Sequence, residues 1–453
     1  MRVYRARRDA QRRPVTNRYT ILGFISSGTY GRVYKAQSIV SPDSPSVDGA
    51  SSSRPKTPEV FAIKKFKPDK EGDVVTYTGI SQSAIREIAL NREINHENVV
   101  ALREAILEEK SIYMVFEYAE HDFLQVIHHH YQTLRTSIPT ALLKSLTYQL
   151  LNGCIYLHAS HILHRDLKPA NILITAQGVV KIGDLGLARL VSGPLQPLVA
   201  GDKVVVTIWY RAPELLMGAK HYNKAIDCWA VGCVLAELAS LRPIFKGEEA
   251  KIEHHAGGNG DNNNNNNGGG GGGRKKHSSV PPFQRDQLIK IFEVLGTPDE
   301  SRDWPGIVDM PEYHNMKRLD HFNNRLSDWC QSRIRSQQGY ELLKQLFAYD
   351  PDNRLTAEQA IRHKWFLEEP LPTWNAFQSA SQHHIPPCRR VSQDDAPSMI
   401  PQATAQQQQQ LGGGHIAAGP GGGYGGNGGG TAVQQQTGGG GGGHHARKKA
   451  RMG

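Results

Sequence analysis

The stretch His164-Arg165-Asp166-Leu167-Lys168-Pro169-Ala170-Asn171, followed in order by Asp184-Leu185-Gly186 and Ala212-Pro213-Glu214, decides how this chain reads. A lone His-Arg-Asp triplet arises by chance. The full H-R-D-L-x-x-x-N string, with an aspartate-glycine motif and A-P-E downstream in that order, does not. It supplies a carboxylate, Asp166, able to accept a hydroxyl proton, and two oxygen donors suited to magnesium, Asn171 and Asp184. Lys168 adds a positive charge that can neutralise charge developing on a phosphate.

The chain upstream holds the complementary parts. Ser27-Gly28-Thr29-Tyr30-Gly31-Arg32-Val33 matches most of a G-x-G-x-x-G-x-V loop, in which Gly28 and Gly31 would let backbone amides approach phosphates. Alone, a glycine turn between strands is more often just a hairpin. Phe61-Ala62-Ile63-Lys64 then puts Lys64 at the end of a strand, where it could pair with α- and β-phosphates, although by itself it is an ordinary strand lysine. Glu87, on the helix that follows, is suited to orient Lys64 through an ion pair. Phosphoryl transfer needs little covalent help, because its difficulty lies in neutralising phosphate charge and aligning the acceptor. The ordered set therefore points to that chemistry.

Periodicity gives the frame. Short β-rich runs at Tyr19–Phe24, Gly31–Ala36, Val60–Phe66, Leu102–Leu107 and Ile112–Glu117, with one helix over Ser81–Ile94, predict a small strand-rich lobe. Longer periodic segments at Ala141–His158, Lys224–Leu241 and Phe283–Leu295 predict a larger helical lobe. Residues 38–58, rich in Ser, Pro and Asp, and 257–282, an asparagine and glycine tract, cannot bury enough apolar area to offset their ordering entropy. Both are expected to be mobile insertions. Residues 1–18 read as a basic disordered arm, and 369–453 as a disordered Gln-, Gly- and His-rich tail with a basic end.

The net charge of +10 does not demand a nucleic-acid-binding fold. Residues 1–18 hold seven arginines against one aspartate, and Arg447, Lys448, Lys449 and Arg451 add four more positive charges. The remainder is close to neutral, so no direct sequence-specific nucleic-acid binding is expected. Five scattered cysteines show neither metal-ligand pairing nor disulfide density, and no apolar run has the length of a membrane span. A soluble chain in a reducing compartment is the expectation.

These motifs make residues 19–368 resemble the protein kinase superfamily across the whole globular part. The resemblance implies an α+β, two-lobed fold, with a small antiparallel sheet lobe over 19–116, a hinge over 117–122 and a mostly helical lobe over 123–368. It implies ATP and Mg2+ as cofactors. Asp166 would be the catalytic base, supported by Lys168, Lys64 and Glu87, and Asn171 and Asp184 would be the metal ligands. Ile25, Gly28, Gly31, Val33, Ala62, Lys64, Glu117, Ala119 and Asp122 would line the nucleotide site, the backbone of Glu117 and Ala119 meeting adenine and Phe116 standing at the gatekeeper position. Arg354 would pair with Glu214, with Asp227-Cys228-Trp229 as further framework.

The segment Ser81-Gln82-Ser83-Ala84-Ile85-Arg86-Glu87 is similar to the cyclin-binding helix of cyclin-dependent kinases. Tyr118-Ala119-Glu120-His121-Asp122 and the Asp-Leu-Gly form of the metal motif resemble the Mediator-associated, cyclin-C-dependent kinases, in their fungal form. That resemblance implies a cyclin C-like partner, the other Mediator kinase-module subunits, and protein substrates including RNA polymerase II C-terminal repeats and transcription factors. Aligned with the wider cyclin-dependent pattern, Asp202 falls where those kinases usually carry an activating phosphothreonine, and Arg86, Arg165 and Arg189 are the counterparts of the three arginines that gather around it. Arg447-Lys448-Lys449-Ala450-Arg451 resembles a basic nuclear-import signal, which implies a nuclear protein. Ser26 replaces the first loop glycine and Leu185 the usual aromatic. Neither changes charge chemistry, so activity is expected to survive. Two alternatives stay open: a kinase-fold scaffold that docks cyclin and Mediator without transferring phosphate, and a cell-cycle or mitogen-activated kinase.

Overall fold

The computed structural model describes residues 14–28, 31–39, 58–66, 82–108, 111–191, 196–197, 207–250, 283–378 and 380–393. Five antiparallel strands, β1 (Tyr19–Ser27), β2 (Gly31–Ser38), β3 (Val60–Phe66), β4 (Leu102–Glu108) and β5 (Ser111–Glu117), form one sheet in the order β1-β2-β3-β5-β4. Strand β5 is the continuous apolar run Ile112 to Phe116 because the sheet is covered on both sides. Tyr113 and Val115 join Phe61, Ile63, Tyr34 and Tyr19 on one face, whereas Ile112, Met114 and Phe116 meet Phe66, Val100 and Ala84 on the other. Ala84 belongs to helix α1 (Gln82–Glu93), which closes that second face.

A hinge leads into the helical lobe through the two-residue strand β6 (His121–Asp122) and α2 (Phe123–His128). Asp122 caps α2: its carboxylate accepts the Gln125 N–H at 2.8 Å while the Gln125 side chain returns to the Asp122 N–H. The lobe is built on α3 (Thr140–Ala159) and α4 (Ala225–Ser240). Residues 225 to 239 of α4 are all buried, the signature of a helix that is apolar around its whole circumference. Trp229 at its centre packs against Phe245 and Phe347, with ring centroids 5.6 and 5.1 Å away. Helix α5 (Arg285–Leu295) stops at Gly296, φ +81°, where a Cβ would lie 2.8 Å from the Asn324 nitrogen. Between α3 and α4, the short strands β7 (Ile162–Leu163), β8 (Ile172–Ile174), β9 (Val180–Ile182) and β10 (Arg189–Leu190) carry the signature motifs.

The elements expected from periodicity are present to within a residue or so at most ends, and strands β1 and β2 run further than expected. Two boundaries need correction. Residues 14–18 are not a free arm: Val15 is buried among Tyr19, Tyr34 and Phe61, its N–H donates to Glu108, and Arg18 pairs with Glu104. Nor does order stop at 368. Ala376 and Phe377 are buried in the large-lobe core, and the Ala376 N–H donates to the Gly178 carbonyl at 3.0 Å. The Thr373 N–H donates to Ser145 and the Gln149 amide to the Trp374 carbonyl in the same stretch, and the chain then runs to Ser392, which pairs with Phe24 of β1. The insertion over 257–282, and all of 38–58 but its ends, lie outside the described residues. So do residues 394–453.

Candidate active site

The loop between β7 and β8 holds Asp166, and its shape is imposed from below. Asp227, buried on α4, accepts the N–H groups of His164 and Arg165 at 2.9 Å each and the His158 ring nitrogen at 3.0 Å. Arg165 is thereby held at φ +69°, a conformation a non-glycine residue adopts only when its surroundings dictate it. Asp227, placed with the framework in the sequence, is thus what aims the loop.

Asp166 receives Lys168 Nζ at 2.8 and 3.1 Å, and Asn171 donates its amide nitrogen to the Asp166 carbonyl at 2.8 Å and carboxylate at 2.9 Å. Burial raises the Asp166 carboxyl above its ordinary value of 3.8, with Lys168 pulling the other way. That direction suits a base. Because Asn171 spends its nitrogen on Asp166, its amide oxygen is the atom left for a cation. An amide oxygen beside the Asp184 carboxylate is a hard-oxygen donor set, which fits Mg2+, an ion bound by one or two protein groups together with waters and phosphates.

Asp184 opens the 3-10 turn Leu185–Leu187 with φ +60°, a second non-glycine residue in the left-handed region. Lys64 Nζ reaches Asp184 at 2.8 Å and both oxygens of Glu87 at 2.8 and 2.9 Å. Burial favours the neutral amine, but the Glu87 and Asp184 carboxylates outweigh it and hold Lys64 protonated above the usual lysine range. Burial pushes Glu87 up to about 7 against the pull of Lys64, whereas Lys64 overcomes burial at Asp184 and keeps it below the usual carboxylate range. Helix α1 is seated inward in the chain by itself, with Arg86 donating to the Gly186 carbonyl at 3.0 Å.

The residues expected to line a nucleotide site lie on the small lobe, the glycine loop and the hinge. Ile25, Val33 and Ala62 are half-buried on β1, β2 and β3, and Ala62 pairs across the sheet with the buried Phe116. The two loop glycines separate in role. A Cβ on Gly28 would meet open space, consistent with room left for a ligand. At Gly31 a Cβ would fall 2.5 Å from the Lys65 carbonyl, so that glycine is required by the close approach of β2 to β3. In the hinge, the Glu117 N–H donates to the Ala101 carbonyl at 3.0 Å, and Ala119 is buried. Asp122 is engaged: its second oxygen meets Arg389 at 3.1 Å.

Arg165 Nη1 donates to the Leu187 carbonyl at 3.3 Å, so Arg86 and Arg165 converge on one turn, while Arg189 sits on β10 opposite Leu163. Asp202 lies outside the described residues, as do Thr29 and Tyr30. Arg354 forms the expected two-pronged pair with Glu214, at 2.8 and 2.9 Å, both side chains buried. Sequence reading missed Arg389 and Ser392, which flank the cleft. Leu371, Trp374 and Phe377 were the available signal, apolar residues in a stretch otherwise read as tail.

Comparison with known proteins agrees with this geometry. The protein kinase domain family matches residues 49–366. The chain is 50% identical to "Serine/threonine-protein kinase SSN3" of Yarrowia lipolytica, with 87% of each chain covered. It is 49% identical to the protein of that name from Aspergillus oryzae, over 84% of this chain and 87% of the relative. A 47% match to the Mycosarcoma maydis protein of the same name covers 87% of this chain but 66% of that longer protein. With the sheet, the two lobes and the closed lysine–glutamate pair, these matches establish that the chain belongs to the protein kinase family and is a serine/threonine-protein kinase.

Proposed function

We propose that this kinase transfers the γ-phosphoryl group of Mg·ATP to serine and threonine hydroxyls of RNA polymerase II C-terminal repeats and of transcription factors, as the cyclin C-dependent subunit of the Mediator kinase module. The closed cluster of Asp166, Lys168 and Asn171 facing the Lys64–Glu87–Asp184 triad carries the chemical part of this reading. Asp166 takes the proton of the attacking hydroxyl as its oxygen bonds to the γ-phosphorus, and the bond to the β–γ bridging oxygen breaks to release ADP. Lys64 holds the nucleotide's phosphates and Lys168 offsets charge on the transferred group. Asn171 and Asp184 would hold magnesium, which when bound would supply charge neutralisation.

The partner assignment is supported by the helix and hinge motifs, by the relatives' shared name, and by two exposed apolar side chains, Ile85 on α1 at 52% and Leu107 on β4 at 57% exposure. Asp202 is proposed to stand in for an activating phosphothreonine, supplying one negative charge where a phosphate supplies about two. The chain expressed in bacteria should gain activity when cyclin C binds, and the pair should lose much of its activity on Asp202→Ala. A cyclin that neither binds nor activates would sink the subfamily reading, and a pair silent until another kinase phosphorylates it would sink the role of Asp202. Nuclear residence is proposed from Arg447–Arg451. Deletion of residues 444–453 should reduce nuclear accumulation of a tagged chain, and unchanged accumulation would remove the signal from the account.

A further inference from the structure

The segment after the large lobe crosses the mouth of the cleft and is fastened on both sides of it. On the large-lobe side, Ala376 and Phe377 are buried. Further on, the Arg389 N–H donates to the Glu120 carbonyl at 3.0 Å, and its guanidinium pairs with Asp122 at 3.1 Å and reaches the His121 carbonyl at 3.4 Å. Asp122 does not need this arginine for its orientation, because Gln125 already fixes its other oxygen. On the small-lobe side, Ser392 and Phe24 exchange both backbone hydrogen bonds, at 2.7 and 2.9 Å, as one rung of an antiparallel ladder. Gly23 makes room for this rung. A Cβ there would lie 2.4 Å from Val391 and 2.7 Å from the Ser392 carbonyl.

We infer that residues 389–392 are a clasp that ties β1 to the hinge, and that this clasp must release, or be stretched, for nucleotide to exchange. Between its two fastenings lie three residue steps, which span at most about 10 Å when fully extended. Kinase lobes part by rotation about the hinge to admit and release nucleotide, and a tether this short leaves little slack for β1 to move away. Strand β1 runs directly into the glycine loop at Gly28, so restraint at Phe24 is restraint on the cover of the phosphate site. The clasp therefore slows opening, holding ADP after transfer. This inference rests on the nucleotide cleft assigned above.

The test follows dissociation of N-methylanthraniloyl-ADP, chased with excess ATP in a stopped-flow instrument, from the full chain bound to its cyclin. Ser392→Pro deletes the N–H donated to Phe24 and loosens the small-lobe end, where the Phe24 N–H still meets the residue 392 carbonyl. Arg389→Ala removes the guanidinium from Asp122 and His121 and loosens the hinge end, where the backbone bond to Glu120 stays. Each should accelerate dissociation about five-fold or more, as loss of one or two net hydrogen bonds allows. If both ends belong to one clasp, the double variant should be no faster than the faster single one. An unchanged rate for Ser392→Pro, or multiplication of the two effects in the double variant, would overturn the clasp. A wild-type complex that binds no labelled ADP would instead count against the nucleotide-site reading.

Discussion

Replacing Asp166 with asparagine should lower kcat by at least the roughly 10² to 10⁴ of a positioned acid–base group while leaving ATP binding near the wild-type value. The substitution keeps the shape of the side chain and the carbonyl that Asn171 holds, and it leaves the Lys64–Glu87–Asp184 cluster untouched. What it removes is the acceptor for the hydroxyl proton. The same residue sets a pH dependence. Asp166 works as a base only when ionised, and burial raises its carboxyl above 3.8, so wild-type kcat/KM should fall on the acid side from a pH above that value. The asparagine enzyme should lack that acidic limb. Steady-state rates on a polymerase repeat peptide across the acid range, with nucleotide binding measured separately, check both parts; a wild-type rate for Asp166→Asn would remove Asp166 from the chemistry.

The second large effect is on stability. Arg354→Met should cost about 3 to 5 kcal/mol, because Glu214 would be left as a buried carboxylate without its counter-charge. Arg354 also donates to the carbonyls of Ala225, Ala348 and Tyr349, so three further hydrogen bonds go with the charge. Adding Glu214→Gln should recover a substantial part of the loss by removing the stranded charge. Urea unfolding of the wild type and of these two variants measures both changes. A loss below about 1 kcal/mol for Arg354→Met would show that water reaches Glu214 and that the pair behaves like one at the surface.

The catalytic string was legible because phosphoryl transfer fixes both the residue types and their order, and β5 and α4 were legible because burial imposes apolar runs. What lies between those signals was not. Nothing in the spacing of Lys64, Glu87 and Asp184 states that one ammonium meets both carboxylates, since the contact is made by three elements converging in space. Gly31 reads like Gly28 in the loop motif, yet one glycine serves strand packing and the other leaves open space, a distinction set by where Lys65 falls. The clasp was hidden for a compositional reason. Its neighbours are glutamine and glycine tracts, so an averaged reading of 369–453 dilutes Trp374, Ala376 and Phe377, and a single backbone rung at Ser392 leaves no periodicity to detect.

The central claim, that this constellation transfers phosphate to serine or threonine, is tested most directly by incubating the cyclin-bound chain with Mg2+, γ-32P-labelled ATP and a polymerase repeat peptide, then identifying the labelled amino acid. The account predicts magnesium-dependent label on phosphoserine or phosphothreonine with the wild-type protein and little with Asp166→Asn. Absence of label with a wild-type chain that binds both cyclin and ATP, or equal labelling by the two proteins, would contradict it.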